Sequence, residues 1–125
     1  MRDGKYVILT VDDDPDFCET IRLLLQSEGY IVAQANSAEE GLKVYKNEKP
    51  DLLLIDLMME EIDAGATFVK ELKLLGNKAP IYLLSGAGDG MTSTIDYNKL
   101  GFSGVFQKPI DPDRLLNVID AKLKK

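Results

Sequence analysis

Charged and hydroxyl side chains follow four separate apolar runs of this 125-residue sequence. They are Asp12 and Asp13, then Asp56, then Ser85, and last Lys108. Apolar runs of this kind predict strands buried on both faces of a parallel sheet. Parallel strands end at a common edge, and ligands of open α/β sheets bind there. We therefore expect these five groups to converge from distant parts of the chain.

The convergent groups suit phosphoryl chemistry. Three carboxylates repel one another and need a cation, and oxygen ligands without His or Cys indicate Mg²⁺. Lys108 supplies a positive charge for a phosphate, and Ser85 offers a hydroxyl donor. Asp56 is placed to act as a nucleophile toward phosphorus and to form an aspartyl phosphate. The cation, Lys108 and Ser85 would neutralise the oxygens of the transferred group.

Five strands are predicted to alternate with five helices. The strands are expected at 6–11, 30–35, 51–55, 81–84 and 104–106. The helices are expected to begin near Pro15, Ala38, Ala64, Met91 and Pro112. In the third helix the apolar spacing predicts that Phe68, Leu72 and Leu75 are buried. This alternation indicates a single three-layer α/β domain with a parallel sheet, although periodicity alone leaves the strand order open.

Composition narrows the classes of function. The net charge is −6 and no basic stripe is present, which argues against direct nucleic-acid binding. The short apolar runs predict no membrane span, and no secretory leader is apparent. The single Cys18 fits a reducing cytoplasm, where we expect the protein to act. The sequence contains no histidine, which excludes Ser-His and Cys-His pairs, a His-ligated metal and a phosphohistidine of its own.

The order and spacing of four motifs resemble those of bacterial two-component response regulator receiver domains, including the chemotaxis regulators. The motifs are Val11–Pro15, Asp51–Met59, Leu84–Gly86 and Lys108–Pro109. The resemblance covers residues 1–125 as one receiver domain. It implies a flavodoxin-like doubly wound sheet of five parallel strands in the order 2-1-3-4-5, with three layers and five helices.

The resemblance also implies a role for each matching residue. Asp56 matches the phosphoacceptor, and Ser85 and Lys108 match the hydroxyl and the amine that contact the phosphoryl group. Mg²⁺ would be held by Asp13 and Asp56 directly, by Asp12 through water, and by the backbone carbonyl of Met58. The bond before Pro109 would be cis, since cis peptides occur mainly at proline.

The family further implies partners and a mode of action. The phosphodonor would be a sensor histidine kinase or a phosphotransfer protein, and the output would be read by an effector domain or protein. A phosphorylation-dependent homodimer is a further expectation. The only reactions catalysed would be the domain's own phosphorylation and dephosphorylation, so we do not expect an enzyme in the usual sense.

Two departures from the family pattern concern the acceptor loop and the output switch. The usual Pro-Gly-x-Asp-Gly-like stretch is replaced at 60–65 by Glu-Glu-Ile-Asp-Ala-Gly. Val105 stands three residues before Lys108, where the family carries a switch aromatic. Phe106 comes one place later, on the other side of the strand, and is predicted to be core. Phosphorylation is expected to persist while its readout differs.

Two alternatives from other classes stay open at this stage. One is a pseudo-receiver, an interaction module with the fold but no phosphotransfer. The altered 60–65 loop and Val105 leave this alternative open. The other is a haloacid-dehalogenase-type phosphatase, which would need Asp-x-Asp-x-Thr at the first strand. Residues 12–16 read Asp-Asp-Asp-Pro-Asp and lack the threonine.

Overall fold

The computed structural model describes residues 4–56, 64–85, 102–107 and 110–123. Five strands lie in these ranges: β1 Val7–Val11, β2 Ile31–Ala35, β3 Leu52–Asp56, β4 Ile81–Ser85 and β5 Gly104–Gln107. Four helices accompany them: α1 Pro15–Ser27, α2 Ala38–Glu48, α3 Ala64–Leu74 and α4 Pro112–Leu123. The further helix predicted from Met91 falls outside the described residues.

All strand pairs are parallel, and the order is β2-β1-β3-β4-β5. This confirms the doubly wound sheet with order 2-1-3-4-5. The crossover from β2 past β1 to β3 reverses the direction in which the sheet grows. The crevice beside such a reversal, beyond the carboxyl ends of the strands, is where ligands of this architecture bind. We call that end of the sheet the carboxyl edge.

The sheet has an apolar cluster on each face, which explains the unbroken apolar runs of β1 and β3. On one face Leu53 and Ile55 pack with Phe68 of α3. On the other face Leu52 and Leu54 pack with side chains of α1 and α4. Because successive side chains of a strand point to opposite faces, a strand covered on both sides must be apolar throughout.

Side chains predicted to cap helices begin α1 and α2. The Asp14 carboxylate accepts the backbone N–H groups of Asp16 and Phe17, and Pro15 is the first helical residue. The Ser37 hydroxyl accepts the backbone N–H of Glu40 at 3.1 Å. These bonds satisfy donors that a helix leaves without partners at its start. They also fix where the chain turns back from the carboxyl edge.

The prediction that Leu75 is buried was wrong. Leu75 is 46% exposed, whereas Phe68, Val69 and Leu72 are buried. The helix ends at Leu74, and the next turn closes through bonds from the N–H of Asn77 to the Leu72 carbonyl and from Gly76 to Lys73. Gly76 has a φ of 83°, the left-handed conformation that this type of helix end requires. The Leu75 N–H still donates to the Glu71 carbonyl at 3.1 Å, and the chain turns directly afterwards, so Leu75 stands at the end of the apolar stripe and stays partly exposed.

Within the described ranges, no helix combines the length and the apolar character needed to cross a bilayer.

Candidate functional site

Strand register brings three carboxylates together at the carboxyl edge. Val11 ends β1 between Ala35 of β2 and Ile55 of β3, so the following residue lies level with Asp56. Asp12, Asp13 and Asp56 each offer a carboxylate oxygen, and these oxygens lie within 4.8 Å of one another. The convergence predicted from the sequence is therefore observed for the three acids.

The three acids differ sharply in burial. Asp12 is 1% exposed and Asp56 is 9% exposed, whereas Asp13 is exposed. Burying two carboxylates side by side is unfavourable unless cations or hydrogen-bond donors compensate their charge. Asp13 at the rim leaves the cluster open to solvent on one side. The arrangement suits a small hydrated cation that enters from that side.

The backbone around Asp12 is held by several hydrogen bonds. Its N–H donates to the Ala35 carbonyl at 3.1 Å, and its carbonyl accepts from the Cys18 thiol at 3.4 Å. One oxygen of its carboxylate accepts the Asp14 N–H at 2.9 Å. A carboxylate fixed in this way keeps one orientation, which a metal site requires.

Sequence reasoning missed two residues that support the site. Cys18 is buried in α1, and its thiol donates to the Asp12 carbonyl. Gln34 of β2 donates to the Cys18 carbonyl at 2.8 Å. Both side chains line a cavity of about 380 Å³ beside Asp12 and Asp13. A thiol six residues after an acid and a glutamine in another strand carry no sequence signal of this contact.

The remaining site residues predicted from the sequence are only partly described. Ser85 is the last residue of β4, and it lies one residue beyond the level of Asp56, because Asp56 pairs with Leu84. Its backbone is level with Gln107 of β5, the residue before Lys108. Met58, Lys108 and Pro109 lie outside the described residues. The roles predicted for these four residues thus stay predictions.

A comparison with protein-family models identifies the chain. The model described as the response regulator receiver domain matches residues 8–120, nearly the whole sequence. The chain belongs to this family. It is a receiver domain of two-component response regulators, a signalling domain, and neither of the two alternatives left open by the sequence is favoured.

Named relatives agree with this assignment. The receiver domain is 33% identical to chemotaxis protein CheY of Bacillus subtilis over 93% of this chain and 96% of that protein. It is 36% identical to transcriptional regulatory protein GlrR of Escherichia coli over 94% of this chain but 26% of that protein. The chain thus spans about a quarter of the length of the transcriptional regulators that it matches.

The fold of this chain also matches that of solved receiver domains. A CheY-like response regulator receiver domain protein from Methanospirillum hungatei superimposes with a TM-score of 0.84 at 29% identity. That match covers 97% of this chain and 95% of the other chain. The sheet order described above is therefore that of a receiver domain.

Phe106 is a core residue, as its place in the strand predicts. Phe106 is 3% exposed, its ring centroid lies 5.4 Å from that of Tyr82, and the guanidinium of Arg114 lies 5.7 Å above it. Val105 is half-buried and packs on the opposite face of the sheet. Phe106 of β5 thus packs against Tyr82 of β4 and Arg114 of α4, on the face of the sheet opposite to that of Val105.

The described acids fit Mg²⁺. Their ligand atoms are carboxylate oxygens, the hard donors that Mg²⁺ prefers, and one of the three acids is exposed to solvent. Mg²⁺ keeps several waters and uses one or two carboxylates, so a cluster with an open side is sufficient. The acidic cluster of the receiver domain is therefore compatible with Mg²⁺ binding.

Proposed function

We propose that Asp56 of this receiver domain accepts a phosphoryl group from a phosphohistidine on a partner protein. The observation that carries the proposal is the approach of its carboxylate to those of Asp12 and Asp13, within 4.8 Å at the carboxyl edge. Such a cluster of negative charge is unfavourable unless it holds a cation beside the acceptor. Asp56 is also nearly buried, so that water is largely excluded around it.

The transfer is an in-line displacement at phosphorus. A carboxylate oxygen of Asp56 forms a bond to the phosphorus atom, and the bond from phosphorus to the histidine nitrogen of the donor breaks. The electron pair of that bond stays on the departing imidazole. Hydrolysis of the acyl phosphate by water would regenerate the Asp56 carboxylate and release phosphate. Both steps would be the domain's own reactions rather than turnover of a separate substrate.

The acids that would hold Mg²⁺ are Asp13 and Asp56 directly and Asp12 through water, with the backbone carbonyl of Met58. When bound, Mg²⁺ neutralises negative charge on the phosphoryl oxygens. Asp12 is suited to an outer role because one of its oxygens already accepts the Asp14 N–H. Lys108 and the Ser85 hydroxyl would contact the other phosphoryl oxygens. A cis bond before Pro109 would orient Lys108.

The readout of phosphorylation would differ from that of aromatic-switch receivers. Val105 has no ring to change position, and Phe106 is packed between Tyr82 and Arg114. Movement of Ser85 toward the phosphoryl group would instead be transmitted through the segment that follows β4. The charge added at Asp56 would shift a pre-existing equilibrium between two conformations of the domain.

The partners follow from the proposed chemistry. The donor would be a sensor histidine kinase or a phosphotransfer protein, and an effector domain or protein would read the phosphorylated state. A phosphorylation-dependent homodimer is also proposed. We place the protein in the cytoplasm, and we treat residues 1–125 as one domain that does not bind nucleic acid directly.

Binding of beryllofluoride, an analogue of the phosphoryl group, tests the proposal. We expect ¹⁹F NMR to show a bound signal that needs both Mg²⁺ and the Asp56 carboxylate. The signal should disappear in Asp56→Asn. Asp13→Asn should raise the Mg²⁺ concentration needed by tenfold or more, since metal sites lose about 10–100-fold on loss of a supporting group.

The matched control is Asp16→Asn, which removes an exposed acid from α1 outside the cluster. This variant should bind beryllofluoride at the same Mg²⁺ concentration as the wild type. A bound signal that persists in Asp56→Asn, or that appears equally without Mg²⁺, would contradict the proposal. The domain would then be read as an interaction module without phosphotransfer.

A further inference from the structure

A second cavity of about 380 Å³ lies at the end of the sheet opposite the carboxyl edge. It is formed where α2 ends and where the chain passes from α3 to β4. The cavity is lined by charged, polar and apolar side chains, among them Tyr45, Lys46, Lys49, Leu75, Asn77 and Lys78. Among the described residues, three lysines and no carboxylate line this cavity, although the whole sequence carries a net charge of −6. We call this surface the lysine pocket.

The lysines of the pocket are exposed, and the described part of the chain gives them no ion pair. Lys43 of α2, by contrast, has its Nζ 3.9 Å from the Oε1 atom of Glu39. Lys46 stands in the last turn of α2, where a cation complements the helix dipole. Lys49 is the C-cap residue of α2 and also lies at the negative end of that helix. Lys78 lies four residues after the end of α3, so the helix dipole does not account for it.

Hydrogen bonds make the wall of the lysine pocket rigid. The Tyr45 hydroxyl donates to the Asn77 side-chain oxygen at 3.0 Å, and the Ala79 N–H donates to the same oxygen at 3.1 Å. The Asn77 amide donates in turn to the Ala79 carbonyl at 3.0 Å. Lys49 is held in the left-handed conformation with a φ of 48°, and its N–H donates to the Tyr45 carbonyl. A preformed surface loses less conformational entropy on binding.

Exposed leucines adjoin the lysines. Leu75 lines the pocket and is 46% exposed, and its neighbour Leu74 is 87% exposed. Among the described residues these are two of the three large hydrophobic side chains that are exposed, the third being Leu23 on α1. A single exposed leucine needs no explanation. Two adjacent ones beside a cationic cavity have the composition of a docking surface.

We propose that the lysine pocket binds an acidic, amphipathic segment of a partner protein. Carboxylates of that segment would lie against Lys46, Lys49 and Lys78, and an apolar side chain would cover Leu74 and Leu75. A small inorganic anion would use the lysines but leave the leucines in water, so the combination favours a protein segment. The surface lies at the other end of the sheet from Asp56 and works independently of phosphorylation.

A synthetic peptide of glutamate and leucine residues is the probe for this proposal. Titration followed by amide NMR should give saturable shifts confined to 45–50 and 74–79. The combined variant Lys49→Gln/Lys78→Gln should weaken binding about tenfold, and Leu74→Ser should weaken it severalfold. Binding should also weaken as salt rises, because exposed charges are screened. Lys70→Gln removes an exposed lysine of α3 outside the pocket and should bind as the wild type does.

A peptide without negative charge and an anion without apolar side chains test which features of the probe the pocket recognises. A peptide with glutamine in place of glutamate should produce no shifts at the pocket, and Asp56→Asn should leave binding of the acidic peptide unchanged. Equal binding of the glutamine peptide would contradict recognition by charge. Inorganic phosphate that causes the same shifts and displaces the peptide would make this a small-anion site. Absence of shifts at 45–50 and 74–79 would overturn the proposal outright.

Discussion

At the scale of single residues, the site depends on where each carboxylate stands relative to the end of a strand. Asp12 and Asp56 are level with each other because Val11 pairs with Ile55. That relation follows from sheet register, which the sequence alone does not contain. What the sequence does contain is the residue types: acids directly after apolar runs. The identity of the site residues was therefore predictable, whereas their separations were not.

Another residue-scale feature is a buried hydroxyl beneath the site. Thr10 in β1 is fully buried, and among the described residues its Oγ1 has no hydrogen-bond partner. Thr10→Val removes this hydroxyl and keeps the shape of the side chain. We expect the free energy of unfolding to rise by about 1 kcal/mol, because an unsatisfied buried polar group carries a desolvation penalty of about that size or more. Urea denaturation with an unchanged m-value measures it.

Thr20→Val is the matched control for that substitution. Thr20 is exposed on α1, and its hydroxyl donates to the Asp16 carbonyl at 3.0 Å. This variant should gain no stability, since valine removes a satisfied hydroxyl and has a low helix propensity. Destabilisation by Thr10→Val would mean that the hydroxyl has a partner in solution.

At the scale of elements, the helices were predicted well where capping residues mark their ends. Asp14, Ser37, Gly29 and Gly76 all occupy the helix ends that their types predict. Leu75 was misassigned because apolar spacing does not show that the buried stripe ends just before the residue at which Gly76 turns the chain. The distant contact of Asp51 with Val7, whose N–H donates to the Asp51 carboxylate at 2.8 Å, was likewise invisible in the sequence.

The close approach of α2 to α3 at Gly41 predicts the effect of a substitution there. Gly41 of α2 lies over Phe68 and Val11, and a Cβ at this position would stand 2.6 Å from the nearest Phe68 ring atom and 3.2 Å from a Val11 methyl. Phe68 is 1% exposed, so its ring is enclosed by other core side chains. Gly41→Ala should therefore lower the free energy of unfolding by about 1–2 kcal/mol, the cost of overpacking less the helix-propensity gain of alanine.

Replacing the Phe68 ring tests whether the contact with this ring is the cause of the destabilisation by Gly41→Ala. In Phe68→Leu the ring is gone, so adding Gly41→Ala to this variant should cost less than it does in the wild type. The coupling of the two substitutions, measured by a double-mutant cycle in urea, should be favourable by 0.5 kcal/mol or more. Simple additivity of the two effects would show that the contact with Phe68 is not the reason for glycine at this position.

At the scale of the whole molecule, the strand order could not be derived from periodicity. It was predicted from the resemblance to a family, and the structure confirmed it. The lysine pocket was not predicted from the sequence. Lys49 and Lys78 are 29 residues apart in the sequence and meet only because α2 and the segment before β4 end at the same side of the sheet.

A contact between distant parts of the chain makes stability depend on alkaline pH. The Tyr30 hydroxyl donates to the Asp120 carboxylate of α4. Burial raises the pKa of Tyr30 above its usual range, and the hydrogen bond to Asp120 and its negative charge raise it further. Above a pH of about 10 the unfolded chain loses this proton while the folded protein keeps it. The unfolded state then binds fewer protons, so stability falls as pH rises.

The variant Tyr30→Phe removes the hydroxyl that donates to Asp120. Below a pH of about 10 it should be less stable than the wild type by about 1–2 kcal/mol, because a hydrogen bond to a charged group is lost. Above that pH the difference in stability should shrink, because only the wild type loses stability when Tyr30 of the unfolded chain is deprotonated. Urea denaturation at a series of pH values measures both trends. A difference that stays constant through the alkaline range would contradict the assigned pKa shift of Tyr30.

The central claim is that Asp56 is the phosphoacceptor, and intact mass measured after incubation with acetyl phosphate and Mg²⁺ tests it most directly. We predict that the wild type gains one phosphoryl group, that chelation of Mg²⁺ prevents the gain, and that Asp56→Asn shows none. Asp16→Asn should be phosphorylated as the wild type is. No gain of mass in the wild type, or an equal gain in Asp56→Asn, would contradict the account.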